Sequence, residues 1–382
     1  MIKSQLKKGY LIQNEKVLKL FRFIDFLGYK LFNFNRRFRG YDLNNKKILV
    51  CNTAHLGDVL LSLRFVELLK SKFNNVKIYF LCGSWSLALL VDNPYIDEII
   101  IYDEVLLNRN RISKIKKIMI NLIGFVKVLK KIREERIDIA FNLRAYFNTT
   151  NFLLLLSGIP IRVGYKTGGM GFLLTKTEEW IEGEHEIEHH LRLLKDFLKE
   201  DYHKYLSYPD MEYILKEEKL KYKIGINKYI VINIFSGEER KKINDNSLWI
   251  DLIKYFADFY DVYLIGTSDI KEIIEKGIVS KINSNRVYNI AGKTNLYDVF
   301  YLVKNAEFVV SVDSLISHIL GIYNKKSLVI FHGNNDFNQW RPLSENIMIY
   351  RKQLSCSPCF FKISCNDECF QIKFDEIKDL LK

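Results

Sequence analysis

The segment Ala54-His55-Leu56-Gly57-Asp58 sets an imidazole and a carboxylate between an apolar strand-like run, KKILVCNT (46–53), and a helical run, VLLSLRFVELLKSKF (59–73). Small ligands of open α/β sheets bind where strands end and such loops begin. Gly57 allows close backbone approach. Asp58 reads either as a helix N-cap or as a general base, and His55 either orients a substrate or is polar surface. A second candidate is Val312-Asp313-Ser314, which ends a strand and opens a helix carrying His318. Free N–H groups at a helix start suit a diphosphate, and Ser314 and His318 lie one turn apart. The plain alternative is an N-cap and a core histidine. A third candidate is the polar loop after the strand YIVINIF (229–235), with Ser236, Arg240, Lys241 and Lys242. Cations there would neutralise a leaving diphosphate, or form a solvated charge run.

Cys356, Cys359, Cys365 and Cys369 are spaced C-x2-C-x5-C-x3-C. Four close thiols in a cytoplasmic chain read as a structural zinc or iron site ahead of disulfides, with uncoordinated thiols as the alternative. Cys51 and Cys82 sit in apolar, strand-like contexts and read as core.

The elements that would position these residues alternate. Apolar runs at 46–53, 77–83 and 97–103 interleave with helical patterns, and IDIAFNL (137–143) and IRVGY (161–165) continue the series. A polar, Tyr-rich stretch at 200–228 follows. The pattern then restarts with strands at 229–235, 262–266, 287–292, 308–313 and 327–333. Such alternation predicts α/β architecture: two Rossmann-like, doubly wound domains facing a central cleft. The expected divisions are an amphipathic basic extension (1–45), an N-terminal Rossmann-like domain (46–205) and a C-terminal Rossmann-like domain (206–382) that carries the cysteine cluster 356–369.

Length and composition agree with two folded domains: 382 residues, 48% hydrophobic and 27% charged. No apolar run reaches membrane-spanning length, and the charged N-terminus lacks a signal-peptide pattern, so a cytoplasmic protein is expected. The net charge of +13 is concentrated. Residues 1–47 hold twelve Lys/Arg against three Asp/Glu, and residues 105–131 hold eight with no acid. In 16–34, Val17, Leu20, Phe21, Ile24, Leu27 and Leu31 form one helix face beside a basic side. These features point to an anionic partner, either peripheral attachment to the inner face of the cytoplasmic membrane or a helix packed on the domain body. No nucleic-acid motif is present, which leaves that class with charge alone.

Taken in order, ILVCNTAHLGDVLLSLRFVELL, NPYIDEIIIYD, IDIAFNLRA, IRVGY, HEIEHHLRLL and the block from AGKTNLYDVF to NQWRP resemble the lipopolysaccharide heptosyltransferases, glycosyltransferase family 9. The resemblance covers roughly residues 46–382. It implies a GT-B fold and an inverting transfer that needs no catalytic cofactor, commonly from ADP-heptose. Under it, Asp58 is the base, and Lys241 or Lys242, with Arg240, holds the donor phosphates. Ser236, Asp313, Ser314 and His318 meet the donor sugar and diphosphate, and Asp269 lies near the nucleoside. His55, Arg144 and Arg162 meet a lipid-linked or phosphorylated saccharide acceptor. The chain departs from the family pattern at Leu315 and Ile316, where Gly and often Pro are usual, at Arg64, commonly Pro, and at Phe331-His332-Gly333-Asn334. Those departures keep two rivals open: a different nucleotide-hexose donor, or a non-catalytic glycan- or lipid-binding relative.

Overall fold

The computed structural model describes residues 5–32, 41–104, 113–147, 149–222, 227–236, 246–360 and 368–381. The chain divides into two compact units, one ending at Pro209 and one beginning at Asp210.

In the first unit the strands are β1 (Lys47–Cys51), β2 (Lys77–Cys82), β3 (Glu98–Ile101), β4 (Ile139–Asn142), β5 (Ile161–Tyr165) and β6 (Lys176–Glu178). They pair in parallel in the order β3-β2-β1-β4-β5-β6. The helices are α1 (Glu15–Leu31), α2 (Leu56–Lys72), α3 (Leu87–Leu90), α4 (Lys114–Glu135), α5 (Thr150–Leu156) and α6 (Glu186–Arg192). Central strands such as β1 (KILVC) and β4 (IAFN) are apolar almost throughout because a parallel sheet is covered on both faces. Helix α2 is buried along most of its length, and Phe65 packs edge-on against Phe141 of β4.

The second unit repeats the plan. Its strands are β7 (Tyr229–Asn233), β8 (Asp261–Ile265), β9 (Val287–Asn289), β10 (Phe308–Val312), β11 (Ser327–Ile330) and β12 (Ile347–Tyr350). They are all parallel, in the order β12-β11-β10-β7-β8-β9. Its principal helices are α7 (Asn246–Ala257), α8 (Lys271–Gly277), α9 (Leu296–Asn305) and α10 (Leu315–Ile322). Trp249 of α7, buried among Ile230, Leu252 and Val262, anchors the core.

Counted from its own first strand, each sheet runs 3-2-1-4-5-6, the doubly wound order. The order in which strands are laid down reverses between β1 and β4, and again between β7 and β10. The crevice outside the strand ends at such a reversal is where this fold binds ligands.

Two edge strands, β6 (Lys-Thr-Glu) and β12, were not expected from sequence; the first is three residues long and has no apolar run. Of the residues expected as a basic extension, the described ones, 5–32 and 41–45, fall within the first unit. Helix α1 packs on the turn Gly171–Leu173, where Gly28 meets Phe172 so closely that any Cβ would clash with the ring. Its buried stripe is Leu18, Phe21, Asp25 and Gly28. Of the predicted apolar face, only Phe21 is buried; Val17, Leu20, Leu27 and Leu31 are exposed. Among the described residues no helix is long and apolar enough to cross a membrane.

Candidate functional site

Asn52, directly after β1, shapes the first loop. Its Oδ1 accepts from the Ala54 N–H at 3.1 Å, and its Nδ2 donates to the Asp58 carbonyl at 3.1 Å. Trp85 Nε1 donates to the Ala54 carbonyl at 2.7 Å, bracing the loop from the next strand's end. Helix α2 begins at Leu56, so His55 is the N-cap residue and makes no side-chain cap bond. Asp58 therefore sits at the third helical position. Its carboxylate accepts from the backbone N–H groups of His55 and of Asp58 itself. It does part of a cap's work without being the N-cap residue.

Asn142 plays the matching part at the end of β4. Its Oδ1 accepts from the Arg144 N–H at 3.3 Å, and its Nδ2 donates to Asn151 Oδ1 at 2.7 Å. Asp58 and Arg144 thus follow the two strands that flank the reversal of this sheet.

These residues line a cavity of about 80 Å³ bounded by Asn52, Ala54, His55, Asp58, Leu143, Arg144, Tyr146, Glu186 and His190. It is large enough for a hydroxyl and its neighbouring atoms, and too small for a nucleotide sugar. Burial pushes the Asp58 carboxyl up to about 6, with the Glu186 carboxylate adding to the rise and Arg144 opposing it. A carboxylate in that range is suited to accept a proton near neutral pH. Burial pulls His190 down to about 4 despite Glu186, whose Oε1 lies 3.6 Å from its Nε2, so its ring is neutral at pH 7. Its Nδ1 has no hydrogen-bond partner.

Glu186 opens α6 behind a capping box formed by His185 and Glu188. Its Oε2 also meets His189 Nδ1 at 3.1 Å, and His189 Nε2 meets the Ile181 carbonyl at 2.8 Å. Burial opposes charging of His189, but the Glu186 carboxylate, the Ile181 carbonyl and Glu184 together raise its pKa. Arg144 also faces Glu104, a buried carboxyl after β3 that accepts from Thr150 Oγ1 at 3.1 Å. Burial raises Glu104, and Arg144 works against the rise. Two interior carboxyl groups therefore share one guanidinium.

Sequence reasoning found Asp58, His55 and Arg144 but missed Asn52, Glu104, Glu186 and His190. The one available signal was HEIEHH (185–190), an unusual density of titratable groups inside a helix. Arg162 does not line this cavity. It is buried in β5 and donates from Nε to the Leu173 carbonyl at 2.8 Å and from Nη1 to the Ile159 carbonyl.

The second unit gathers Asn233, Asp313 and Ser314 at its own reversal. Asn233 Nδ2 donates to Ser311 Oγ at 3.0 Å and to Ser314 Oγ at 3.1 Å, joining the ends of β7 and β10. Ser314 caps α10, accepting from the Ile316 N–H at 3.3 Å. Asp313 is buried and accepts from Asn335 Nδ2 at 3.3 Å. His318 is buried within α10, and Leu315, the first helical residue, is half-buried.

Ser236 follows β7 half-buried, and Asp269 is exposed after β8. Arg240, Lys241 and Lys242 lie outside the described residues. Arg351, which the sequence did not single out, comes after β12 with its planar guanidinium over the Phe337 ring, 5.5 Å from the centroid. Its Nη2 donates to the Asn335 carbonyl at 3.2 Å, and burial lowers its pKa despite Asp336, Cys369 and Asp313 nearby.

The expected four-thiolate metal site is not formed by the described residues. Cys365 lies outside them, and among the rest no group of three or more His, Cys, Asp or Glu side chains is placed to hold a metal ion. The described cysteines form no disulfide. Cys369 Sγ instead lies 3.5 Å from Nε2 of the buried His332.

Two doubly wound parallel sheets, each with a polar loop at its reversal, are the plan of the GT-B fold. The sequence description of glycosyltransferase family 9 (heptosyltransferase) matches residues 125–369, and the chain belongs to that family. It is 23% identical over 299 residues to lipopolysaccharide heptosyltransferase 3 of Escherichia coli, covering 76% of this chain and 85% of that one. The fold is similar to a family 9 glycosyltransferase of Veillonella parvula, with a TM-score of 0.69, 18% identity and coverage of 89% and 97%. It is also similar to an E. coli heptosyltransferase solved with ADP-2-deoxy-2-fluoro heptose, with a TM-score of 0.64, 15% identity and coverage of 88% and 98%.

Proposed function

We propose that this glycosyltransferase moves a heptose or related sugar from a nucleotide-sugar donor, ADP-heptose in the first instance, to a lipopolysaccharide core or similar surface glycan. Asp58 takes the proton of the acceptor hydroxyl while that oxygen attacks the anomeric carbon. The bond from that carbon to the donor phosphate breaks, and the configuration inverts. Charge builds on the departing nucleotide diphosphate and is met by Lys241 or Lys242, Arg240 and the first N–H groups of α10. Ser236, Asp269, Asp313, Ser314 and His318 hold the rest of the donor. His55 and Arg144 position the acceptor. The protein works at the inner face of the cytoplasmic membrane, where a lipid-linked or phosphorylated acceptor is presented.

The observation that carries this reading is the Asp58 carboxyl, pushed up to about 6 in a small polar cavity at the strand reversal. Leu315 favours a second reading. A half-buried Leu at the tip of α10, where the family usually has Gly, narrows the diphosphate seat and fits a donor other than ADP-heptose. One screen separates the two: thermal unfolding with ADP-, UDP-, GDP- and CMP-linked sugars. At a hundred times Kd the true donor adds about 2.7 kcal/mol, a rise in Tm of roughly 5–10 °C for a unit of this size. A shift with ADP-heptose supports the first reading. A shift with another nucleotide sugar alone supports the second, and no shift with any of them rejects both.

A further inference from the structure

We infer that α1 and the exposed face of α4 from Lys116 to Lys130 form a foot that inserts apolar side chains into an anionic phospholipid bilayer. Both helices belong to the first unit, and both leave large apolar side chains in water. On α1, Leu31 is 73% exposed and Phe23 60%. On α4, Val126 is 65% exposed and Leu122 60%. Residues of these types are normally the most buried in a folded chain, and a contiguous exposed patch of them marks an interaction surface.

The pattern is systematic. On α1 the exposed residues Val17, Leu20, Leu27 and Leu31 form a stripe beside the buried one, at the same three- and four-residue spacing. On α4 the C-terminal half packs on the sheet through Val128 and Ile132, and among the described residues the turn before it is tied to the end of β3 by Asn121 Nδ2, which donates to the Asp103 carbonyl at 3.0 Å. The segment IMINLIGFV (118–126) contains no charged residue, and Ile118, Leu122 and Val126 all face outward. The two helices are linked by packing. Phe125 of α4 stacks on Phe152 of α5 at 6.3 Å, and Phe152 is itself exposed. Helix α5 packs on the turn Gly171–Leu173 that also holds α1 through Phe172.

Charge selects the occupant. The exposed Lys16, Lys19, Arg22 and Lys30 flank the stripe on α1, and the exposed Lys116, Lys127 and Lys130 flank that on α4. The only acids on α1 are Glu15 at its start and Asp25, which is buried and bonded to Tyr10. Helix α4 carries none before Glu134. A second copy of the chain on this face, related by a two-fold axis, would bring like cations together. An anionic lipid surface accepts both parts: lysines meet headgroups while apolar side chains enter the acyl boundary. The inference rests on the reading that the acceptor is membrane-presented, and its test omits donor and acceptor so that the two can fail separately.

The test is co-sedimentation of the full chain with vesicles of phosphatidylcholine alone or mixed with phosphatidylglycerol, at low and high salt. Wild type is expected to bind only the mixed vesicles and to keep part of its binding at high salt, where screening removes the purely electrostatic share. Leu122→Ser/Val126→Ser and Phe23→Ser/Phe26→Ser are each expected to lower vesicle partitioning by at least about tenfold with Tm unchanged. Lys19→Glu/Lys30→Glu is expected to lose the low-salt share. The inference is overturned if wild type ignores the mixed vesicles or if the serine variants bind as wild type does. It is equally overturned if those variants abolish self-association in sedimentation velocity rather than lipid binding.

Discussion

Asp58→Asn is expected to lose between about a hundred- and ten-thousand-fold in kcat, the range associated with removing a positioned general base. The nucleotide sugar should bind as before, because the proposed donor contacts lie in the other unit. The substitution is close to isosteric, and the amide oxygen can still accept from the His55 N–H. The Asp58 carboxyl titrates above its ordinary 3.8, at about 6, so the folded chain holds its proton more tightly than the unfolded chain does. Stability linked to this group therefore falls as pH rises from about 4 to about 6, and the full cost persists above that. Asn avoids the cost, so Tm at pH 8 should equal or exceed that of wild type. Single-turnover transfer, donor calorimetry and thermal melts at pH 8 check the three parts. A variant that still transfers at near wild-type rate removes Asp58 from the mechanism.

Arg144→Met is expected to damage both stability and rate. Two interior carboxyl groups, Asp58 and Glu104, depend on this guanidinium, and in each Arg144 opposes a rise caused by burial. Removing one partner of a buried charge group costs about 3–5 kcal/mol, because the remaining charge is left uncompensated. Without Arg144 both acids move further above their unfolded values. The loss should then be largest at pH 8 and shrink toward pH 5, where protonation relieves it. Urea unfolding at the two pH values measures this. Equal loss at both would mean that Arg144 contributes packing, not charge compensation.

The architecture was readable in the chain because parallel strands buried on both faces leave unbroken apolar runs, as in KILVC and YIVIN. Strands at the edges leave no such mark. One of them, β6, pairs with β5, and the guanidinium of Arg162, to which the resemblance gave an acceptor contact, closes on main-chain carbonyls instead.

Asp58 was findable because it stands just past a strand end, whereas Arg144 came from the family resemblance. Glu186 and His190 reach the same cavity from α6, distant in sequence, and only the fold brings them there. The surface of α1 shows a different gap. Its apolar spacing was visible, but periodicity cannot tell a stripe that meets the domain body from one beside it that meets solvent.

The proposed transfer turns on a carboxylate whose basicity is set by burial and by its charged neighbours in one small cavity. The most direct measurement is kcat/KM against pH for wild type and Glu186→Gln, in parallel. Wild type should show an acid limb near 6, set by Asp58. Glu186→Gln removes a like charge beside that carboxyl, so its limb should move to lower pH while the plateau rate stays within a few fold. A limb that stays fixed in the variant, or a wild-type profile flat through pH 5, would contradict Asp58 as the base.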